Sequence, residues 1–164
     1  MTDTEQSLLA LLRRALFGQD TPLPSDVDWQ RVFEEAVSHS VHLLVYDCLT
    51  EQERAAIPKE TAVPWRQEVL SAMWYNEQLL GEQQEVLKAL SGLPCVILKG
   101  SSSAACYPRP ELRCAGDIDL LLFPADVKKA EAILCARGYC PPEDEHPFHR
   151  SMHREQFLVE LHFE

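Results

Sequence analysis

Residues 95–122 read CVILKGSSSAACYPRPELRCAGDIDLLL. The run from Cys95 to Leu98 holds two β-branched residues between Pro94 and Gly100, the pattern of a short buried strand. It passes through Lys99, Gly100 and Ser101 into GSSSAACY, which reads as a turn entering a short helix. YPRPELRCAG reads as a proline-rich loop, and DIDLLLF as a second strand. Side chains on a strand alternate between faces, so Asp117 and Asp119 share one face while Ile118, Leu120 and Leu122 share the other. The apolar set is expected to pack on a helix layer and leave the two carboxylates side by side on an open face. Adjacent carboxylates repel unless a cation lies between them, and oxygen-only ligands suit Mg2+ or Mn2+. An Asp-x-Asp pair alone reads as a solvated strand face. The Lys99-Gly100-Ser101 turn shifts that reading: glycine permits close backbone approach, serine offers a hydroxyl, and a helix start offers N–H groups to an anion, which together describe a phosphate cradle.

Working toward the C-terminus, Pro124 opens a helix over ADVKKAEAILCARG, closed by Gly138 where a left-handed residue is wanted. CPPEDEHP reads as loop. PFHRSMH and EQFLVELHFE read as two more strands in a hairpin. In the last of them Glu160 and His162 share one face and Val159, Leu161 and Phe163 the other. Glu160 thus offers a third carboxylate on a neighbouring strand. Working toward the N-terminus, the first 90 residues read as helices: Glu5 to Phe17 stopped by Gly18, a helix capped by Asp26 or Asp28 through Val37, and an apolar segment from Val41 to Leu49. Pro58 and Pro64 bracket a linker. Pro64 then stands first in a long helix from about Trp65 to Leu90, with Val69, Ala72, Met73, Leu79, Leu80, Val86, Leu87 and Leu90 on its apolar face.

The chain of 164 residues is one domain, or a small domain with a helical extension, and its 46% hydrophobic and 25% charged residues are those of a globular protein. Collagen-like, disordered and coiled-coil classes are excluded by composition. The net charge of −11, most of it in the first 90 residues, argues against a protein that coats nucleic acid or acidic membrane. The N-terminus lacks the features of a signal peptide, and no run reaches the roughly 20 apolar residues of a membrane span, so a soluble, cytoplasmic protein is expected. None of the six cysteines forms a C-x-x-C pair, and most stand in apolar runs, which predicts buried, reduced thiols.

The ordered set LKGSSSAACYPRPELRCAGDIDLLLFPADVKKAEAILCARGY…VELHF resembles the uncharacterised nucleotidyltransferase family within the DNA polymerase β-like superfamily. The match covers about residues 93–163, and the helices before it, with SVHLLVYDCL, are similar in a less specific way. The resemblance implies an α+β fold: a small mixed sheet with helices on one face, as a nucleotidyltransferase core over residues 93–164, behind a helical region over residues 1–92. It further implies transfer of a nucleoside monophosphate from a nucleoside triphosphate, with ATP the foremost candidate, to a hydroxyl, with release of pyrophosphate. Gly100 and Ser101 would hold the β and γ phosphates. Asp117 and Asp119 would bind two divalent ions, Mg2+ or Mn2+, with Glu160 as the third acidic ligand that helps activate the acceptor hydroxyl. Lys99 and Arg113 match basic positions flanking the two motifs and would neutralise phosphate charge. Two such ions would clamp the attacking and leaving oxygens of an in-line displacement.

The loop over residues 102–116 is longer than in many enzymes of that superfamily, and the sequence stops at Glu164, just after the third carboxylate. A missing C-terminal segment, the helical region or a protein partner is therefore expected to complete the acceptor side. The acceptor is unnamed by the sequence; the acidic balance favours a small molecule or a protein over long nucleic acid. The rival reading is a non-catalytic module of the same fold, acting in protein interaction or nucleotide sensing; intact acids and an intact Gly-Ser turn weigh against it. A kinase-like phosphotransferase lacks its G-x-x-x-x-G-K-[ST] loop here. His146, His149 and His153 have helical ligand spacing, but Pro141, Pro142 and Pro147 disfavour a helix, so they read as loop or strand histidines rather than zinc ligands. His162 reads as a strand histidine bonded to a neighbour or as a contact to phosphate or metal. Trp65 and Trp74 read as packing residues, and Tyr107 as a loop anchor or a base-stacking ring.

Overall fold

The computed structural model describes residues 2–140 and 146–163. The chain divides into two compact units, residues 1–75 with 107–114 and residues 76–106 with 115–164.

The first unit is helical. Helix α1, Asp3–Phe17, starts on a capping box in which Thr2 and Glu5 bond each other's backbone N–H, and ends on Gly18 at φ 64°. Helix α2, Trp29–Ser38, is capped by Asp28, whose side chain accepts from the Arg31 N–H at 3.1 Å. Helices α3, His42–Asp47, and α4, Glu51–Ala56, follow. A second capping box, Thr50 with Glu53, starts α4, and Glu53 pairs with Arg14 of α1 at 2.8 Å. The core closes around Trp65, which is fully buried, stacks on Phe33 at 5.3 Å between ring centroids and donates to the His42 carbonyl at 3.4 Å. Leu11, Val32, Ala36, Leu43 and Val45 complete it, and Tyr107 and Cys114 pack on its edge. Tyr107 is thus an anchor.

Helix α5, Lys59–Ala89, corrects the linker expected between Pro58 and Pro64. The Pro58 carbonyl accepts from the N–H groups of Thr61 and Ala62, so the helix is already running when it reaches Pro64. Proline costs a helix only the bond its own nitrogen would have made and a clash with the carbonyl four residues back, and near a helix start that loss is small enough for packing to offset. Trp65, one residue later, is the packing that holds it. Met73, Trp74 and Leu80, expected to pack, are exposed. The thiols depart from expectation too: all six are free, but Cys106, Cys135 and Cys140 are exposed and Cys48, Cys95 and Cys114 half-buried, because several fall in turns and helix ends rather than in the sheet.

The second unit carries a four-stranded mixed sheet in the order β1-β2-β4-β3. Its strands are β1, Cys95–Ile97; β2, Ile118–Leu122; β3, His149–Arg154; and β4, Phe157–His162. The β1–β2 and β3–β4 pairs are antiparallel and β2–β4 is parallel. Between β1 and β2 the chain makes the short helix α6, Ser101–Ala104, and a turn of 3-10 helix at Pro110–Leu112. After β2, a 3-10 turn at Pro124–Asp126 leads into α7, Val127–Cys135, and Gly138 takes φ 88° as expected. The expected loop from Cys140 to Pro147 falls largely on residues 141–145, outside the described residues. Burial follows strand parity: Ile118, Leu120, Leu122, Val159 and Leu161 are buried on one face of the sheet. Met152 of β3, Val127, Ala130 and Leu134 of α7, Val86 of α5 and Leu90 just after it supply further buried side chains. The α+β class with a helical N-terminal region is as the sequence predicts. No helix among the described residues is long and apolar enough to cross a membrane.

Candidate active site

The polar face of the sheet is assembled by register. Asp119 of β2 is the direct parallel partner of Glu160 of β4, and His149 of β3 is the antiparallel partner of His162 of β4. Asp117, two residues before Asp119, shares its face. One oxygen each from Asp117, Asp119 and Glu160 lies within 4.8 Å of the others. The structure therefore brings together the three acids singled out from the sequence.

Asp119 is not on an open face as strand parity alone suggested. It is 1% exposed. Its Oδ1 accepts from Lys99 Nζ at 3.0 Å and lies 2.9 Å from His162 Nε2. Its Oδ2 is buried with no hydrogen-bond partner among the described residues. A buried carboxylate oxygen left unpaired costs about 1–3 kcal/mol or more, so it is retained where something else is to occupy it. An oxygen-only donor set with one orphaned, buried acceptor fits a hard divalent cation.

The electrostatics agree. Burial, and then the neighbouring Asp119 charge, push the Asp117 carboxyl above its usual range. The hydrogen bond to Asp119 raises the Lys99 ammonium, with Asp117 and Glu160 adding to the effect. Lys99 thus acts as the built-in counter-ion of the acidic group.

The glycine turn stands against the same group. Gly100 has φ 60° and ψ −117°, a conformation that side chains other than hydrogen rarely adopt, and a Cβ built there would lie 3.7 Å from the Asp117 carbonyl oxygen. Ser101 Oγ accepts from Gln83 Nε2 at 2.9 Å and donates to Gln83 Oε1 at 3.1 Å. The helix after the turn is only four residues long, and its Ser102 N–H already donates to the Lys99 carbonyl at 3.3 Å. The anion-binding capacity expected of a helix start is accordingly smaller than the sequence suggested, and the turn's backbone matters more than a helix dipole. Arg113 belongs to the first unit, where its guanidinium donates to the Cys114 carbonyl at 3.3 Å.

Three residues escaped the sequence reading or were set aside in it. Gln83 and Asn76 come from α5: Gln83 holds Ser101, and Asn76 Oδ1 accepts from the Ala115 N–H at 3.1 Å, tethering the approach to Asp117. Nothing in the sequence joins residues so distant along the chain. His149 was set aside because nearby prolines disfavour a helix, and only the β3–β4 register puts it beside Glu160, at 3.8 Å.

A small mixed sheet, a positive-φ glycine turn and three converging carboxylates make up the site. A family model for uncharacterised nucleotidyltransferases matches residues 25–164, and the chain belongs to that family. Neither a curated protein nor a solved structure matches it.

Proposed function

We propose that the chain is an enzyme that transfers a nucleoside monophosphate from a nucleoside triphosphate, ATP being the first to test, to a hydroxyl acceptor with release of pyrophosphate. The observation that carries this reading is the buried, unpartnered Oδ2 of Asp119 beside Asp117 and Glu160. Asp117, Asp119 and Glu160 would hold Mg2+ or Mn2+, which when bound would offset the charge of the triphosphate and of the departing pyrophosphate.

The remaining work falls to the chain's own groups. The Gly100 bend lets a polyphosphate approach the backbone next to the carboxylates. Ser101 would exchange the Gln83 amide for a phosphate oxygen. Lys99, more than half exposed, would swing its ammonium from Asp119 to phosphate. Glu160 would orient the attacking hydroxyl and accept its proton. The net charge of −11 supports a small molecule or a protein as acceptor rather than long nucleic acid.

The test is incubation of the full chain with labelled triphosphates, Mg2+ or Mn2+ and candidate acceptors, with pyrophosphate release as readout. Release by the wild type, and its loss in Asp119→Ala and Glu160→Gln, is the expected result. ATP and metal binding that is equal in wild type and Asp119→Ala, with no pyrophosphate formed, would instead indicate a non-catalytic module.

A further inference from the structure

The face that holds the three acids continues past Glu160 into a second donor set. His149 Nε2 lies 3.8 Å from Glu160 Oε1, and His162 Nε2 lies 3.2 Å from Glu160 Oε2. One donor atom from each of His149, Glu160 and His162 lies within 4.8 Å of the others. The arrangement is rigidly built. The two histidines are cross-strand partners, and Glu160 stands two residues before His162 on the same face of β4. The His146 ring stacks on His149 at 4.0 Å, and the His149 and His162 rings are 5.3 Å apart. Arg150, the cation next along β3, lies 3.4 Å from Glu131 and donates to the backbone carbonyls of His146 and His149, at 2.6 and 3.3 Å. All three side chains are about one-fifth exposed, open enough for an ion to enter.

We propose that His149, Glu160 and His162 form a second cation site, for a first-row transition ion such as Zn2+ or Co2+ rather than Mg2+, sharing Glu160 with the oxygen-only group. Donors that share one ion at about 2.0–2.2 Å stand roughly 3–3.5 Å from each other, and the two histidine–carboxylate separations are already near that range. Neutral imidazole suits Zn2+, Co2+ and their neighbours, whereas Mg2+ takes oxygen. The second observation is Asp119. Its Oδ1 lies 2.9 Å from the same His162 Nε2 that faces Glu160, so an ion bound at that nitrogen would meet oxygens of both carboxylates. The same contact explains the crowding around His162 Nε2, where one proton has two carboxylates to serve; an ion in its place serves both. The inference stands apart from nucleotidyl transfer, since an inert protein with these side chains would bind the ion equally.

The experiment is a Co2+ titration of the full chain in excess Mg2+, followed by visible absorption and by proton NMR. The wild type is expected to bind Co2+ despite the Mg2+ and to show two strongly shifted imidazole N–H signals. His149→Gln should lose one signal and weaken Co2+ binding by at least the roughly 10-fold that loss of even an outer partner costs. Asp117→Asn, which leaves the three donors intact, should keep both signals. Co2+ displaced by Mg2+, or a wild-type spectrum without shifted imidazole signals, overturns the proposal whatever the variants do. A wild type that releases no pyrophosphate yet shows the Co2+ signals would sink the transferase reading alone.

Discussion

Asp119 and Glu160 face each other across the only parallel strand pair of the described sheet, and Asp119 is buried with one oxygen bonded to Lys99 and the other without a partner among the described residues. Strand pairing has forced two anions together and supplied one ammonium to balance them. Lys99 offsets part of that charge, and the second Asp119 oxygen is the acceptor that the proposed ion would use.

Mn2+ should stabilise the wild type by mass action, about 2.7 kcal/mol at 100 times its Kd, and Asp119→Asn should abolish that gain. Lys99→Met should behave in the opposite sense. Without its ammonium the metal-free protein loses a partner of a buried carboxylate and melts earlier, while the bare ion no longer competes with Lys99 and stabilises the variant more than the wild type. Melting curves with and without Mn2+ check both. Equal Mn2+ shifts in wild type and Asp119→Asn would show that Asp119 holds no ion.

Asp117 gives a pH signature of definite sign. Its carboxyl is raised by burial and by Asp119, so the fold prefers it neutral. A raised folded value contributes stability that is present below the unfolded value, near 3.8, and lost as pH rises through the folded value. At neutral pH, metal-free, that contribution is gone and the ionised group is a net cost. Asp117→Asn should therefore be more stable than wild type at pH 7 without metal, with the advantage shrinking as pH falls toward 4. Metal binding should also fail at a higher pH than for ordinary carboxylates, since the ion competes with a more tightly held proton. Urea melts across that range, with chelator present, read the effect directly.

Gly100→Ala should be costly for a reason separate from space. The nearest neighbour of an added Cβ, at 3.7 Å, is an ordinary contact, but φ 60° with ψ −117° is not. Such strain costs about 1–3 kcal/mol. A loss of about 2 kcal/mol would lower Tm by roughly 4–8 °C in a chain of this size. Gly92→Ala, where a Cβ meets nothing within 4 Å and φ is not positive, is the matched control and should melt within a degree or two of wild type. A native Tm for Gly100→Ala would mean that the turn relaxes and is no fixed cradle.

Periodicity was enough to locate the acids but not their surroundings. Parity on DIDLLL and VELHF put Asp117, Asp119 and Glu160 on polar faces, because alternation is a property of the backbone and needs no partner. Whether those faces are wet or dry is a tertiary fact, and Asp119 is dry because Lys99 and His162 close over it. The same limit hid His149, whose relevance depends on register between strands, and Gln83, which reaches Ser101 from a helix 18 residues earlier. Helix α4 failed differently. Its capping box, Thr50 to Glu53, was present in the sequence, but six residues with no buried side chain carry no apolar period to draw attention to it. Pro64 misled because an N1 proline and an early-interior proline look alike until the preceding turn is seen.

The last prediction concerns Glu82 of α5, a carboxylate 8% exposed and far from the chemistry in sequence. It accepts hydrogen bonds from the Tyr139 hydroxyl and the Arg154 guanidinium, and the Arg154 guanidinium also lies over the Tyr139 ring at 5.0 Å. This trio joins α5, the segment after α7 and strand β3. Burial and the Glu82 bond push the Tyr139 hydroxyl well above its usual range, so it remains a donor at any working pH. Breaking a buried pair from one side leaves the other charge stranded. Arg154→Met should therefore destabilise by about 2–3 kcal/mol, below the 3–5 of a fully buried pair because Arg154 is one-third exposed. Tyr139→Phe removes a single donor and should cost about 1–3 kcal/mol. Glu82→Gln keeps one oxygen to accept from Arg154, and the Tyr139 hydroxyl can turn to accept from the new amide N–H, so it should cost less than Arg154→Met. In the Glu82→Gln background the Arg154→Met penalty should shrink, and a double-mutant cycle measures that coupling. Strictly additive losses would show that the three side chains act independently and that Glu82 is tolerated in the core for some other reason.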